Sequence, residues 1–216
     1  MLTKKLRNML GGLALLALTA VPKPAKADFY DGCRGPSAAQ VHYTATASGK
    51  GLEHTLAGKY FGDDLFAVGA VNSDSSSITG EFIGFGYLVE QLSRVKALPV
   101  VGYSLSGDGK QGTVVGVAQA TIFLDEDGIF LADPHYAITI PAHGHDVHTP
   151  QHHFGLTASV GNERIRAGPE IVYTLSEQLK VTGLIRYDLD AEKHSNWLEF
   201  GLSSDGAVQF QFRGNF

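Results

Sequence analysis

The feature that most constrains this chain is a strict two-residue alternation, cleanest at the C-terminus. Ala207 to Phe216 reads A-V-Q-F-Q-F-R-G-N-F. Val208, Phe210, Phe212 and Phe216 fall on one parity, with Gly214 the gap, while Ala207, Gln209, Gln211, Arg213 and Asn215 fall on the other. Successive side chains of a strand point to opposite faces, so this run is a strand with one apolar and one polar face. The pattern recurs upstream. Val41, Tyr43, Ala45 and Ala47 alternate with His42, Thr44, Thr46 and Ser48. Val181, Gly183, Ile185 and Tyr187 oppose Thr182, Arg186 and Asp188, and Leu198, Phe200 and Leu202 oppose Glu199, Gly201 and Ser203.

From Gln40 onward no convincing helix-period segment occurs. Further runs at 54–61, 65–72, 78–90, 95–106, 112–124, 129–140, 152–160 and 164–174 are separated by turn chemistry. Gly49 to Glu53 reads as a turn, and Asp-Gly pairs within 107–110, 125–128 and 204–206 are hairpin signals. Pro99 removes a ladder donor from the run 95–106. The spacing predicts an all-β fold, an antiparallel meander of about 12 strands, with 10 as the fallback if the weak run at 54–61 does not pair. Alternation alone leaves two closures open. A soluble barrel turns the apolar parity inward; a membrane barrel turns it outward and lines its lumen with the polar parity.

Lys4, Lys5 and Arg7, the apolar stretch Met9–Val21 and Ala25-Lys26-Ala27 make residues 1–27 a secretory signal peptide. Residues 28–39, with Gly32, Gly35 and Pro36, read as an irregular periplasmic lead-in, and 40–216 as one β-barrel domain. Without residues 1–27 the chain keeps 12 Lys and Arg against 22 Asp and Glu, a net charge of −10. That balance excludes the basic face a nucleic-acid binder needs. Cys33 is the chain's single cysteine, so it forms no internal disulfide, and Phe29-Tyr30-Asp31-Gly32 before it is not a lipidation pattern.

The terminal run ending on Phe216 resembles the closing strand of bacterial outer-membrane β-barrel proteins, whose insertion signal is an alternating strand ending in Phe. Phe210, Phe212 and Phe216 carry the resemblance, and Gly214 stands where the penultimate aromatic is usual. It implies a single antiparallel transmembrane β-barrel in the outer membrane, surrounded by outer-membrane lipid and inserted by the envelope barrel-assembly machinery. The function implied is a small passive pore or a structural envelope protein rather than an enzyme. With both termini periplasmic, counting back from Phe216 puts the longest connection, Ala142–Gln151, outside. The tight turns Gln91–Arg94, Asp125–Gly128 and Gly161–Glu163 then face the periplasm. Asp190–Ser195 is the one periplasmic turn longer than that pattern wants. The polar parity then lines the lumen with Arg166, Glu170, Arg186, Asp188, Glu199, Gln209, Gln211 and Arg213. Tyr87, Tyr103, Tyr173 and Trp197 lie near strand ends, where an aromatic girdle sits.

One segment has ligand chemistry of its own. His143, His145, His148, His152 and His153 fall within eleven residues, with Asp146 among them. Neutral imidazoles with a carboxylate suit Zn or Cu, the one cofactor expectation for this chain. His194-Ser195-Asn196 with Glu199 looks like the His-x-Ser-Asn motif of outer-membrane phospholipases and lipid A deacylases. Here His and Ser are adjacent, so in a strand they point to opposite faces and the base cannot reach its nucleophile. A lipid hydrolase and a soluble periplasmic β-barrel binding an apolar ligand are the two alternatives to the pore.

Overall fold

The computed structural model describes residues 39–49, 51–62, 65–92, 95–125, 129–145, 149–162, 164–175, 179–189 and 196–215. The expected signal peptide and all but the last residue of the lead-in lie outside them. The strands are β1 (Ala39–Ser48), β2 (Gly51–Phe61), β3 (Leu65–Asp74), β4 (Ile78–Tyr87), β5 (Val89–Leu92), β6 (Val95–Ser106) and β7 (Gly112–Phe123). They continue with β8 (Phe130–His143), β9 (Gln151–Gly161), β10 (Ile165–Thr174), β11 (Lys180–Asp188), β12 (Trp197–Ser203) and β13 (Val208–Asn215). No helix occurs among the described residues.

Apart from β4 and β5, consecutive strands pair antiparallel, and β1 also pairs with β13, from Gln40 opposite Asn215 to Ala47 opposite Val208. β4 and β5 are one stave, because both pair with β6 in the same register: Gly86 is opposite Val100 and Val89 is opposite Ala97. The break falls where Pro99, which has no N–H to give, faces this stave. Thirteen segments therefore close into a ring of twelve staves with no free edge.

The sequence reading of about twelve strands holds, and two connections differ from it. The weak run at 54–61 pairs along its whole length with both neighbours, so the ten-strand fallback does not apply. The first hairpin is tighter than Gly49–Glu53: Gly51 takes a φ of +123°, reverses the chain early and already pairs with Ser48. Ladder pairing carries β8 on to His143, so the connection 144–150 is shorter than 189–196 at the opposite end, and Ala142–Gln151 is not the longest loop.

The apolar parity faces outward. In β12, Trp197, Glu199, Gly201 and Ser203 are buried while Phe200 and Leu202 are 53% and 63% exposed. Phe85, Val101 and Ile185 are likewise more than half exposed on their strands. The interior has two zones. Phe61, Phe66, Leu88 and Leu98, with Val68 and Val100 against them, form an apolar cluster on the inner wall of β2–β6, near the end of the barrel that carries both termini. The Phe61 and Phe66 ring centroids are 5.2 Å apart. Farther along that wall Phe82 lies flat over Gly84 and Gly102, where a Cβ would come within 2.7 and 2.4 Å of its ring. Most charged and amide side chains of the lumen lie beyond this cluster, with Val117, Leu184 and Trp197 among them.

Candidate functional site: a polar cavity in the lumen

Strand register brings inward side chains from distant parts of the chain into rows across the barrel wall. Trp197 is opposite Arg213, Arg213 opposite His42, and His42 opposite Ala57. In a second row Arg186 is opposite Glu199, and Glu199 opposite Gln211. On the far wall Asp133 is opposite Thr157, and Thr157 opposite Glu170. These rows, together with Lys59 of β2 and Gln119 and Thr121 of β7, enclose a cavity of ≈ 320 Å³. That volume lies at the lower end of the range for small-molecule sites.

The best-defined contact is an ion pair. Arg186 gives Glu199 Oε2 two hydrogen bonds, from Nε at 2.9 Å and Nη2 at 2.8 Å. The Glu199 side chain is only 6% exposed, and charge-assisted bonds of this length satisfy it. The same guanidinium lies 4.3 Å from the centroid of the Trp197 ring, a cation–π contact. His42 meets Trp197 edge-on with centroids 5.6 Å apart. Its Nε2 is 2.9 Å from Gln211 Oε1, and since an amide oxygen only accepts, that nitrogen carries the proton. Across the cavity the Thr121 hydroxyl donates to Asp133 Oδ1 at 2.6 Å. His135 lies against Gly155, which leaves the room a side chain would take.

Of the eight lumen residues read from the sequence, Glu170, Arg186, Glu199, Gln211 and Arg213 line this cavity. Arg166 lies in a small recess beside it, with Nη1 3.4 Å from the Ile129 carbonyl. Asp188 and Gln209 share the inward parity but are not part of the wall. His42, Lys59, Gln119, Asp133 and His135 were missed, although each sits on the parity opposite its strand's exposed positions. Trp197 corrects the girdle expectation: it has the parity of Glu199, is 7% exposed, and points into the lumen. Tyr87 and Tyr173 are exposed on the outer face, and Tyr103 shares that face.

The described members of the His-rich segment do not converge. His143 takes the Tyr103 hydroxyl at Nδ1 (2.6 Å), and His152 takes that of Tyr136 (2.7 Å), both on the outer face. His54 repeats the arrangement with Tyr43 at 2.7 Å. His153, on the inner face, bonds Thr174 at 3.0 Å, and His145 Nε2 is 3.1 Å from Thr113 Oγ1. Adjacent His152 and His153 thus serve opposite faces, and the described residues contain no group of three ligand-type side chains. Asp146 and His148 lie outside the described residues, as do His194 and Ser195. In the terminal strand Phe210 packs on Phe200 with centroids 5.2 Å apart, and Phe212 is opposite Leu198 and Tyr43; Phe216 lies outside the described residues.

A closed twelve-stave barrel with an apolar exterior and a polar lumen has the fold of outer-membrane porins. No protein-family model matches the chain, and no curated protein does. Solved structures do. The chain is similar to the KdgM porin at 12% identity and a TM-score of 0.61, over 82% of this chain and 99% of that one. It is similar to the NanC porin at 9% identity and a TM-score of 0.57, over 82% and 98%. The outer membrane protein Omp33 of Acinetobacter baumannii follows at 9% identity and a TM-score of 0.50, over 82% and 97%. KdgM has also been solved in complex with disordered oligogalacturonate.

Proposed function

We propose that this protein is an integral outer-membrane β-barrel that passes small hydrophilic solutes through its lumen. One observation carries the reading: large apolar side chains point outward around the ring while charged and amide side chains surround a cavity inside it. Water would penalise that exterior heavily, whereas hydrocarbon matches it. A soluble barrel for an apolar ligand needs the reverse arrangement. The porin folds the chain resembles support the same reading, and the KdgM complex supports entry of a hydrophilic solute into such a barrel. A lipid hydrolase gains no support from Glu199, because Arg186 holds its carboxylate.

The wall carries Lys59, Arg186 and Arg213 against Asp133, Glu170 and Glu199, so net ion selectivity is weak. The test has two parts. Fractionation with a heat-modifiability gel should put a folded, faster-migrating band in the outer membrane. The purified protein in planar bilayers should then give discrete conductance steps with little preference between K⁺ and Cl⁻. A folded outer-membrane band without conductance would leave a structural envelope protein; recovery in the soluble periplasmic fraction would end the membrane reading altogether.

A further inference from the structure

Three tyrosine–histidine pairs on the outer face are built alike. Tyr43 on β1 meets His54 on β2, and Tyr136 on β8 meets His152 on β9. Tyr103 on β6 meets His143 on β8 in the space above Gly112. In each the hydroxyl lies 2.6 to 2.7 Å from Nδ1, and the two rings stack with interplanar angles of 17° to 29°. In each the histidine is nearer the end of the barrel away from the termini. Tyr43 is opposite Leu56, and His54 lies two residues closer to the hairpin between Ser48 and Gly51. Tyr136 is opposite Phe154, and His152 lies two residues closer to the connection 144–150. Tyr103 is opposite Val114, and His143 is opposite Gly112, two residues farther on.

Register also fixes their level. The row through Tyr43 runs one way by β2 to β7 and reaches His143 at the far end. It runs the other way by β13, β12 and β11 and reaches Ile165 at the end with the termini. Rows therefore climb away from the termini in the direction β1 to β8, by roughly 3 Å per stave for strands about 4.8 Å apart and tilted about 40°. His54 shares a row with Phe200, the centre of β12, through Phe210 and Ala45. It then lies about 9 Å beyond the level of Phe200, His152 about 11 Å and His143 about 18 Å. The three imidazoles thus straddle the far edge of an apolar band about 25 Å tall.

The phenol hydroxyl is the stronger donor of each pair and the imidazole nitrogen the stronger acceptor. The hydroxyl therefore donates to Nδ1, which puts the imidazole proton on Nε2. Each pair so presents one N–H donor, across the ring from its tyrosine and held in place by the stacking. Hydrocarbon offers such a donor nothing. The first groups beyond it are the acyl carbonyls of the lipid, which only accept. A lipid phosphate fits less well. At this rim the described lysines Lys110 and Lys180 stand against Asp108 and Asp205, and Asp74 adds a further carboxylate. We propose that the three pairs bind the acyl carbonyl oxygens of lipids in the leaflet away from the termini, each Nε2–H donating to one carbonyl. This rests on the outer-membrane reading and names the lipid group that the barrel wall recognises.

The test exchanges the lipid linkage. The purified barrel is folded into phosphatidylcholine vesicles with ester-linked chains, and into vesicles with the same headgroup and chains joined by ether links. The ether lipid keeps its phosphate and lacks the carbonyls. Urea titration read by gel mobility should give a folded-to-unfolded ratio about tenfold or more lower in the ether lipid. Combining His54→Phe, His143→Phe and His152→Phe keeps a ring at each position and should remove most of that difference. His152→Phe alone should remove a factor of about three to ten, and it carries the comparison where the triple variant does not fold. Infrared spectra of ester lipid labelled isotopically at its carbonyls give a second readout. The wild-type barrel should add a hydrogen-bonded carbonyl component that the histidine variants diminish. Equal ratios for the wild type in the two lipids, or an equal fall in the wild type and the variants, would overturn the inference and leave the membrane reading standing. Failure to insert into either lipid would remove the membrane reading, and this inference with it.

Discussion

Replacing Phe200 by Arg tests the orientation of the barrel wall most directly. Phe200 is the central residue of the seven-residue strand β12, faces outward and packs on Phe210. A strand rising about 3.4 Å per residue and tilted about 40° climbs roughly 2.6 Å per residue along the barrel axis. Phe200 then sits about 8 Å from either end of β12, near the middle of an apolar band about 25 Å tall. An Arg at that depth costs about 2–4 kcal/mol, a shift of roughly 30- to 1000-fold in the folding equilibrium. Leu202 lies about 5 Å nearer the Ser203–Gly206 hairpin, so Leu202→Arg should cost less, about 1–2 kcal/mol. Gln211→Arg places the same charge inside, on the residue opposite Glu199, and loses only the His42 hydrogen bond, worth about 1 kcal/mol. Urea titration of folding into phosphatidylcholine vesicles, read by gel mobility, gives all three values. A cost at Gln211 equal to that at Phe200, or no decline from Phe200 to Leu202, would refute the assignment of faces.

Other outcomes follow from the same structure. A double-mutant cycle on Arg186→Met and Glu199→Gln should give a coupling of about 0.5–3 kcal/mol, and additive effects would show that the ion pair is not formed in solution. Gly102→Ala puts a Cβ 2.4 Å from both the Ile83 carbonyl and the Phe82 ring and should destabilise by about 1–3 kcal/mol. Gly69→Ala, whose nearest neighbour is 3.9 Å away, should be near neutral in the same vesicle assay. In the β6–β7 hairpin, hydrogen bonds from the Ser106 hydroxyl and the Lys110 amide, with the Lys110 ammonium beside them, hold the Asp108 carboxyl down at about 2. Its folded value lies below its unfolded one, so its contribution is present above about pH 4 and fades as pH falls toward 2. The protection of the Gly109 and Lys110 amides, taken relative to the intrinsic exchange rate at each pH, should fall across that window, and Asp108→Asn should abolish the pH step. Deleting Phe216 should reduce the amount of folded protein in outer-membrane fractions, and unchanged accumulation would rule it out as an insertion signal.

Alternation along the strands and Asp-Gly turns at their ends carried most of the fold in the sequence itself. The count of about twelve strands follows from local chemistry, because a period of two with regularly spaced hairpin residues gives an antiparallel meander, a sandwich or a barrel; closure comes from the pairing of β1 with β13. Even the weak run at 54–61 keeps that period, and pairing with two neighbours fixes it. Parity also divides Glu199 and Gln211 from Phe200 and Phe212 without any coordinates. What the period does not contain is the third dimension. It assigns Trp197 to a face, yet a position near a strand end reads equally as a girdle residue or a lumen residue until the ring closes. It does not bring Asp133 opposite His42, because that distance depends on the number of staves between them. It does not foresee that glycines at 84 and 102 make a floor for Phe82, or that Phe61, Phe66, Leu88 and Leu98 gather on one inner wall and leave the polar cavity to the other. The local repeat decides which side chains share a face; closure and register, which act between residues far apart in the chain, decide which of them meet.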